Sequence, residues 1–290
     1  MYNYTFIIPH KNTPELLQKC LDSIPRRDDI QIIVVDDNSD ADKVDFSNFP
    51  GSNDPLVEVY LTKEGRGAGY ARNVGLEHAV GKWIVFADAD DFFNPSICDV
   101  LEEFIDSDAD VVFFKNTAIK YPDGGISMRG YELNRRVDIA LATGDFSLAV
   151  LYSSPCQKFF KKALFDAHGI FFNEVRWGND VAFMGRVAAA ANAFDASNKA
   201  IYCITESAGS IIKTVSLESR IVRFEQEKEN VTILRKTQYS NEPSIYYWLF
   251  RTWFDVKKMS TIKSLQLLPS AVIVGGAGFV NEFVKALLHK

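Results

Sequence analysis

The sequence predicts an α/β protein in which a mainly parallel sheet is flanked by helices and a helical appendage follows at the C-terminus. Three observations carry that expectation. Short apolar runs alternate with helix-spaced segments through the first 120 or so residues, the pattern of a parallel sheet covered on both faces. Several of those runs end abruptly in polar residues, at Pro9-His10, Asp36-Asp37 and Asp88-Ala89-Asp90-Asp91. From Leu217 onward apolar residues recur at steps of three, four or seven, as on one face of a helix. The expected division is a ligand-binding domain over 1–210 and a helical region over 211–290.

In order along the chain, Tyr4–Ile8 reads as a buried strand. Thr13 is a candidate N-cap, with Pro14 at the first helical position and Leu16, Leu17, Cys20, Leu21 and Ile24 at helical spacing. Ile30–Val35 is β-branched and apolar, as strands buried on both faces are, and Val57–Leu61 reads likewise. Gly69–Val80 reads as a helix closed by Gly81, Lys82–Ala87 as a strand, Asp99–Asp106 as a helix and Val111–Lys115 as a strand. Beyond residue 120 the pattern loosens; Phe159–His168 and Val181–Ala191 read as helices, then a helix from Leu217 and an aromatic one over Ser244–Met259. The apolar stretch from Leu267 to Val280 contains Pro269 and three glycines, and it reads as too short and broken for a membrane span.

Composition narrows the function. The chain has 290 residues, 47% hydrophobic, a net charge of -6 and a pI near 5.4. That supports a sizeable core and argues against nucleic-acid binding, which leaves a basic footprint. Charge is uneven: residues 211–290 hold twelve Lys+Arg against seven Asp+Glu, leaving 20 against 31 in residues 1–210. A basic tail can meet an anionic surface or be an ordinary solvated face. Cys20, Cys98, Cys156 and Cys203 form no C-x-x-C pair and read as buried free thiols of a reducing, cytoplasmic compartment. No signal peptide is expected, because the chain runs directly into Tyr4-Thr5-Phe6-Ile7-Ile8. Four scattered histidines suggest no zinc site.

The strongest chemical signal is Phe86-Ala87-Asp88-Ala89-Asp90-Asp91. Residues i and i+2 of an extended segment share a face, so Asp88 and Asp90 can address one ligand and Asp91 can join from the turn. Three crowded carboxylates are costly without compensation. Hard cations such as Mg²⁺ and Mn²⁺ choose oxygen ligands and share them with substrate phosphates. Asp36-Asp37-Asn38-Ser39 is a second acidic strand end, able to accept from a uracil N–H or ribose hydroxyls, or to close an Asx-turn. Gly65-Arg66-Gly67-Ala68-Gly69 fails the dinucleotide fingerprint; it reads as a loop that lets backbone approach a nucleotide, with Arg72 charged beside phosphate or base, or as a flexible loop with a surface charge. Asp180, before the Val181 helix, is a candidate general base and equally an N-cap. Trp177 can stack on a sugar or belong to the core.

Taken in order, Phe6-Ile7-Ile8-Pro9-His10-Lys11-Asn12, Cys20-Leu21-Asp22-Ser23-Ile24, Ile33-Val34-Val35-Asp36-Asp37-Asn38-Ser39, Ala71-Arg72-Asn73-Val74-Gly75-Leu76 and Asp88-Ala89-Asp90-Asp91 resemble the family-two glycosyltransferases, which have the GT-A fold. Weaker echoes follow at Lys158-Phe159-Phe160-Lys161 and Gly178-Asn179-Asp180-Val181-Ala182-Phe183. The resemblance implies an inverting transfer from a UDP-sugar to a carbohydrate or lipid-linked saccharide acceptor. It implies that Pro9 and Asp37 line the base pocket, that Arg72 and Asp88 lie along the donor, that Asp90 and Asp91 hold Mn²⁺ or Mg²⁺, and that Asp180 is the base. Trp177 and Lys158 are the acceptor-side candidates. Lys11 stands where the family usually has Tyr, and Asn179 where it usually has Glu. The competing expectations are a sugar-phosphate nucleotidyltransferase, whose longer basic glycine-rich signature is missing here, and a non-catalytic carbohydrate-binding or scaffold protein of the same fold. For the C-terminal region the expectation is packing, self-association or contact with the inner face of a membrane.

Overall fold

A computed structural model describes residues 2–151, 154–206 and 215–288. The chain begins with β1 (Tyr4–His10), α1 (Pro14–Asp22), β2 (Ile30–Asp36), β3 (Val57–Leu61), α2 (Ala68–His78) and β4 (Trp83–Phe86). These strands pair in the order β3-β2-β1-β4, all parallel, so their carboxyl ends share one edge. β1, β2 and β4 are buried along their whole length. Their side chains alternate faces with the strand period of two: Ile7, Ile33, Ile84 and Phe86 join one cluster, while Phe6, Ile32, Val34 and Val85 join the other. Continuous apolar runs thus fill two cores at once.

Next come β5 (Phe92–Phe93), α3 (Ile97–Glu103), β6 (Val111–Lys120), α4 (Tyr131–Thr143), the single turn α5 (Ser147–Val150), β7 (Lys158–Lys161), α6 (Lys162–His168), α7 (Asn179–Ala190) and β8 (Phe194–Glu206). The sheet continues β4-β7-β6-β8-β5. Parallel pairs predominate, as expected, because β6 and β8 also pair in parallel, but the sheet is mixed: β7 runs antiparallel to both β4 and β6, and β5 runs antiparallel to β8. β7 also corrects the helix expected over Phe159–His168, because residues 158–161 are strand and the helix begins at Lys162. The four-residue strand turns directly into α6 without a Gly or Pro, so helical spacing carried over from α6 hides it.

The last third is helical: α8 (Leu217–Leu234), α9 (Pro243–Met259) and α10 (Thr261–Leu288). α8 begins at a capping box, Ser216 Oγ accepting from Ser219 N–H at 3.0 Å. Its inner face, with Phe224, Val231 and Leu234, continues the cluster that runs from Phe86 through Phe183 and Val187 of α7 to Leu249 and Trp253 of α9. By length and composition α10 qualifies as a membrane span over Thr261–Ala286, with a mean hydropathy of 1.5 in its most apolar 18 residues. It passes through Pro269 and breaks at Gly276 (φ 53°, ψ -141°).

Candidate active site

The site lies at the carboxyl edge of β1, β2 and β4, where open α/β sheets bind ligands. Its floor is a hydrogen-bonded lock between β1 and β2. Buried Asp36 receives His10 Nδ1 at 2.7 Å, Ser39 N–H at 2.8 Å and Ser39 Oγ at 2.5 Å. His10 Nε2 accepts from Thr13 N–H at 3.1 Å, so Nδ1 carries the proton given to Asp36. Thr13 therefore opens α1 through its backbone, with no side-chain cap. Burial pushes the Asp36 carboxyl up, but His10 and Ser39 outweigh it and hold it below the usual range. Pro9 is buried opposite Val35, beyond Ile7, the last β1 residue paired with β4, so its missing N–H interrupts no ladder on that side.

Asp37, next in line, behaves differently. Its Oδ2 accepts from Gly67 N–H at 2.9 Å and lies 3.7 Å from Lys11 Nζ. Its Oδ1 is buried with no partner, and burial raises the carboxyl despite those contacts. An orphaned buried acceptor is costly and fits a ligand N–H or hydroxyl. Gly67 adopts φ 97°, open to glycine. Gly69 is required for another reason: a Cβ there would stand 2.2 Å from Asn173 O, so only glycine lets α2 press against the loop that leads to α7.

Arg72 joins the two halves of the site. Buried in α2, it donates Nη2 to Asp88 Oδ1 at 2.5 Å and Nη1 to Asn179 Oδ1 at 3.0 Å, with its guanidinium 5.2 Å from the Phe172 ring. Asn179 thus keeps the acceptor that a Glu would offer Arg72 but brings no charge. One turn along α2, Asn73 clamps Phe172 through its backbone N–H and C=O, at 2.8 and 2.9 Å.

Beyond β4, Asp88, Asp90 and Asp91 bring carboxylate oxygens within 4.8 Å of one another. Burial and then the Asp88 charge push Asp90 up to about 6; burial and the charges of Asp88 and Asp90 push Asp91 well above the usual range. Three clustered hard-oxygen ligands that resist joint ionisation fit a divalent cation, whose charge removes the conflict. β8, absent from the sequence reading, buttresses the turn: Tyr202 Oη accepts from Asp88 N–H at 2.9 Å, and Asp91 Oδ1 accepts from Thr205 N–H at 2.6 Å.

Asp180 lies in the first turn of α7, behind Gly178, which takes the cap position in the left-handed conformation. Burial raises its carboxyl to about 6 against the pull of Arg72. A carboxylate poised there is suited to general-base work near neutral pH. The acceptor-side candidates are both enclosed. Trp177 is 7% exposed, with an unpartnered buried Nε1. Lys158 is 2% exposed in β7, donates to Ser154 O at 2.5 Å, and is lowered to about 8 by burial. The sequence reading missed Glu227 of α8, which burial raises to about 7, with the Asp180 charge adding to the rise and Asn230 opposing it. Only its place in the run Glu225-Gln226-Glu227-Lys228-Glu229 was visible, and that looks like a solvated face.

Comparison with known proteins agrees with this geometry. Over 216 residues the chain is 25% identical to the poly(ribitol-phosphate) beta-N-acetylglucosaminyltransferase TarS of Staphylococcus aureus, covering 72% of this chain but 36% of TarS. It is 27% identical to the glycosyltransferase GlyG of Streptococcus pneumoniae over 219 residues, 72% of each chain. It is 28% identical to the GalNAc(5)-diNAcBac-PP-undecaprenol beta-1,3-glucosyltransferase of Campylobacter jejuni, covering 62% of this chain and 58% of that one. The crystal structure of TarS 1–349 with UDP-GlcNAc superposes with a TM-score of 0.63 at 20% identity, over 95% of this chain and 80% of that one. The structural likeness shows the GT-A fold. The chain belongs to glycosyl transferase family 2, whose profile matches residues 5–169, more than half its length.

Proposed function

We propose that the protein transfers a sugar with inversion from a UDP-sugar to a hydroxyl of a carbohydrate or lipid-linked saccharide acceptor, in polysaccharide or glycoconjugate synthesis, at the cytoplasmic side. The observation that carries this reading is Arg72, one buried guanidinium bonded to Asp88 on the donor side and to Asn179 beside Asp180. It holds the acid turn and the candidate base in one frame. The complexes of TarS with UDP-GlcNAc and UDP support the donor class, and the poly(ribitol-phosphate) and undecaprenol-linked acceptors in the relatives' names support the acceptor class. The free cysteines, buried as expected at Cys20, Cys156 and Cys203 but exposed at Cys98 on the outer side of α3, support the compartment.

In this mechanism the orphaned Asp37 Oδ1 accepts from the uracil N–H, with Pro9 beside it. Asp88 and Arg72 orient the donor. Asp90 and Asp91, with Asp88, would hold Mg²⁺ or Mn²⁺, which when bound stabilises charge on the departing diphosphate. Asp180 takes the acceptor hydroxyl's proton as that oxygen bonds the anomeric carbon. The bond from that carbon to the diphosphate oxygen breaks, and UDP leaves with the electron pair. Attack opposite the leaving group inverts the anomeric centre. In this reading residues 1–210 carry the donor chemistry, and the helices of the 211–290 region back Asp180 through α8. A screen of UDP-sugars reading released UDP with Mn²⁺ tests the reading. UDP binding without release from any donor, with or without acceptor saccharides, would favour the non-catalytic alternative that Asn179 suggests.

A further inference from the structure

The apolar side chains on the outer side of the C-terminal helices are left exposed by the described residues. On α10, Ile262 and Ile273 are 75% exposed, Leu288 is 78% and Leu265 is 60%, and Val272, Val280 and Val284 are also exposed. Their spacing follows the helix, so they form outward stripes, while Ala271, Phe279 and Phe283 pack inward with α9. Soluble monomers rarely leave so continuous an apolar surface open.

α10 is not one rod. Trp253 of α9 donates Nε1 to Ser264 O at 2.9 Å and also meets the Phe283 ring at 5.7 Å. In a straight helix those two residues would stand about 28 Å apart. The break at Gly276 therefore folds residues 277–288 back along α9, and Arg235 Nη1 caps the first half at the carbonyls of Ile273 and Val274. The halves are about 22 and 18 Å long, each short of the roughly 30 Å hydrocarbon core. This hairpin cannot cross a bilayer as one span, but it can lie in its surface.

The charges select the partner. Arg251, Lys257, Lys258, Lys263 and Lys285 accompany only two acids in α9 and α10, Asp255 and Glu282. Both acids are engaged, by Lys258 at 3.3 Å and by Lys285 at 2.6 Å. Exposed Tyr247 and Trp248 are the residue types that favour a membrane interface. A two-fold dimer through this surface would set the basic patch against its own copy, whereas anionic headgroups complement it. We propose that the α9–α10 hairpin docks in the plane of a bilayer carrying anionic phospholipid. The reading does not depend on the reaction or on the donor.

Co-sedimentation of the full chain with phosphatidylglycerol and phosphatidylcholine vesicles tests it. The expected result is binding to the anionic vesicles, several-fold weaker in 0.5 M salt, with a blue shift of tryptophan emission. Leu265→Glu with Ile273→Glu should cut binding at least about tenfold and leave UDP affinity unchanged. Arg251→Gln with Lys263→Gln, which leaves both ion pairs in place, should remove much of the salt-sensitive part. Wild type that stays in the supernatant, or Leu265→Glu/Ile273→Glu protein that sediments equally well, would overturn the proposal. So would a stable wild-type dimer that ignores vesicles and dissociates on Leu265→Glu/Ile273→Glu.

Discussion

Replacing Asp180 by Asn separates its chemistry from its cost to the fold. The substitution keeps shape and removes the charge. As the general base, Asp180 should contribute roughly a hundredfold or more to turnover. The same group is destabilising, because burial lifts its carboxyl from 3.8 to about 6, and each pKa unit is worth about 1.4 kcal/mol. The ionised form thus costs the fold at most about 3 kcal/mol at neutral pH, and Asp180→Asn should raise Tm by a few degrees while it removes activity. Wild-type turnover should show an acid limb near pH 6, with about a tenth of the protein in the active form at pH 5, and that limb should vanish from any residual activity of the variant. UDP affinity by calorimetry should be unchanged, since the proposed base pocket is built on Asp37 and Pro9. Turnover above about a tenth of wild type, or loss of UDP binding with turnover per bound donor preserved, would refute the assignment. A fall in Tm together with lost activity would show that Asp180 acts through structure.

Further outcomes follow from the same geometry. Asp90→Ala should abolish UDP release while retaining the fold, and excess chelator should do the same to wild type; full activity in chelator would remove the cation from the mechanism. Asp37→Ala should weaken UDP by about 1–3 kcal/mol with little change in turnover at saturating donor, read by calorimetry and initial rates. Phe183, fully buried and stacked on Phe172 at a centroid distance of 3.7 Å, should cost about 3–5 kcal/mol when cut to Ala, measured by urea unfolding. The metal-free protein should gain stability as pH falls from about 7 toward 5, because Asp180 and Glu227 hold protons when folded that they release when unfolded. Asp36, held low, opposes this only at more acidic pH, where its stabilising charge is lost. Thermal melts across that range check the sign.

The parts of the fold legible in the sequence are those in which one pattern had one physical meaning. β1, β2 and β4 are buried on both faces, so uninterrupted apolar runs could only be core strands, and the residues that ended them marked the ligand edge. Asp88, Asp90 and Asp91 were legible because three carboxylates at a strand end have few neutral explanations, and the structure brings them together. β7 was not legible, since Lys158-Phe159-Phe160-Lys161 shows no alternation before α6. β8 was hidden because its register against β6 shifts near Lys115 and Ser197-Asn198-Lys199 interrupts its apolar run. Glu227 and Tyr202 owe their surroundings to packing between distant segments, and no local pattern encodes that.

Asn179 illustrates what a departure from a family pattern costs and what it spares. A Glu at this position would place a second charge beside Asp180, close to Asp88, in a region where burial already raises carboxyl groups. With Asn, Arg72 keeps its hydrogen bond at 3.0 Å, and among carboxylates Asp88 and Asp180 share its charge. The local balance therefore holds Asp180 as an anion with fewer competitors. Meanwhile α8 supplies another carboxylate, Glu227, which the charge of Asp180 pushes further toward its protonated form. Because Glu227, raised to about 7, is still protonated while Asp180 ionises near 6, Glu227→Gln should leave the acid limb of turnover in place, whereas removing the Asp180 charge should lower the Glu227 pKa. A Glu227→Gln variant that folds normally but whose acid limb moves below pH 6 would show that Glu227 is charged while Asp180 titrates and would refute this order of ionisation.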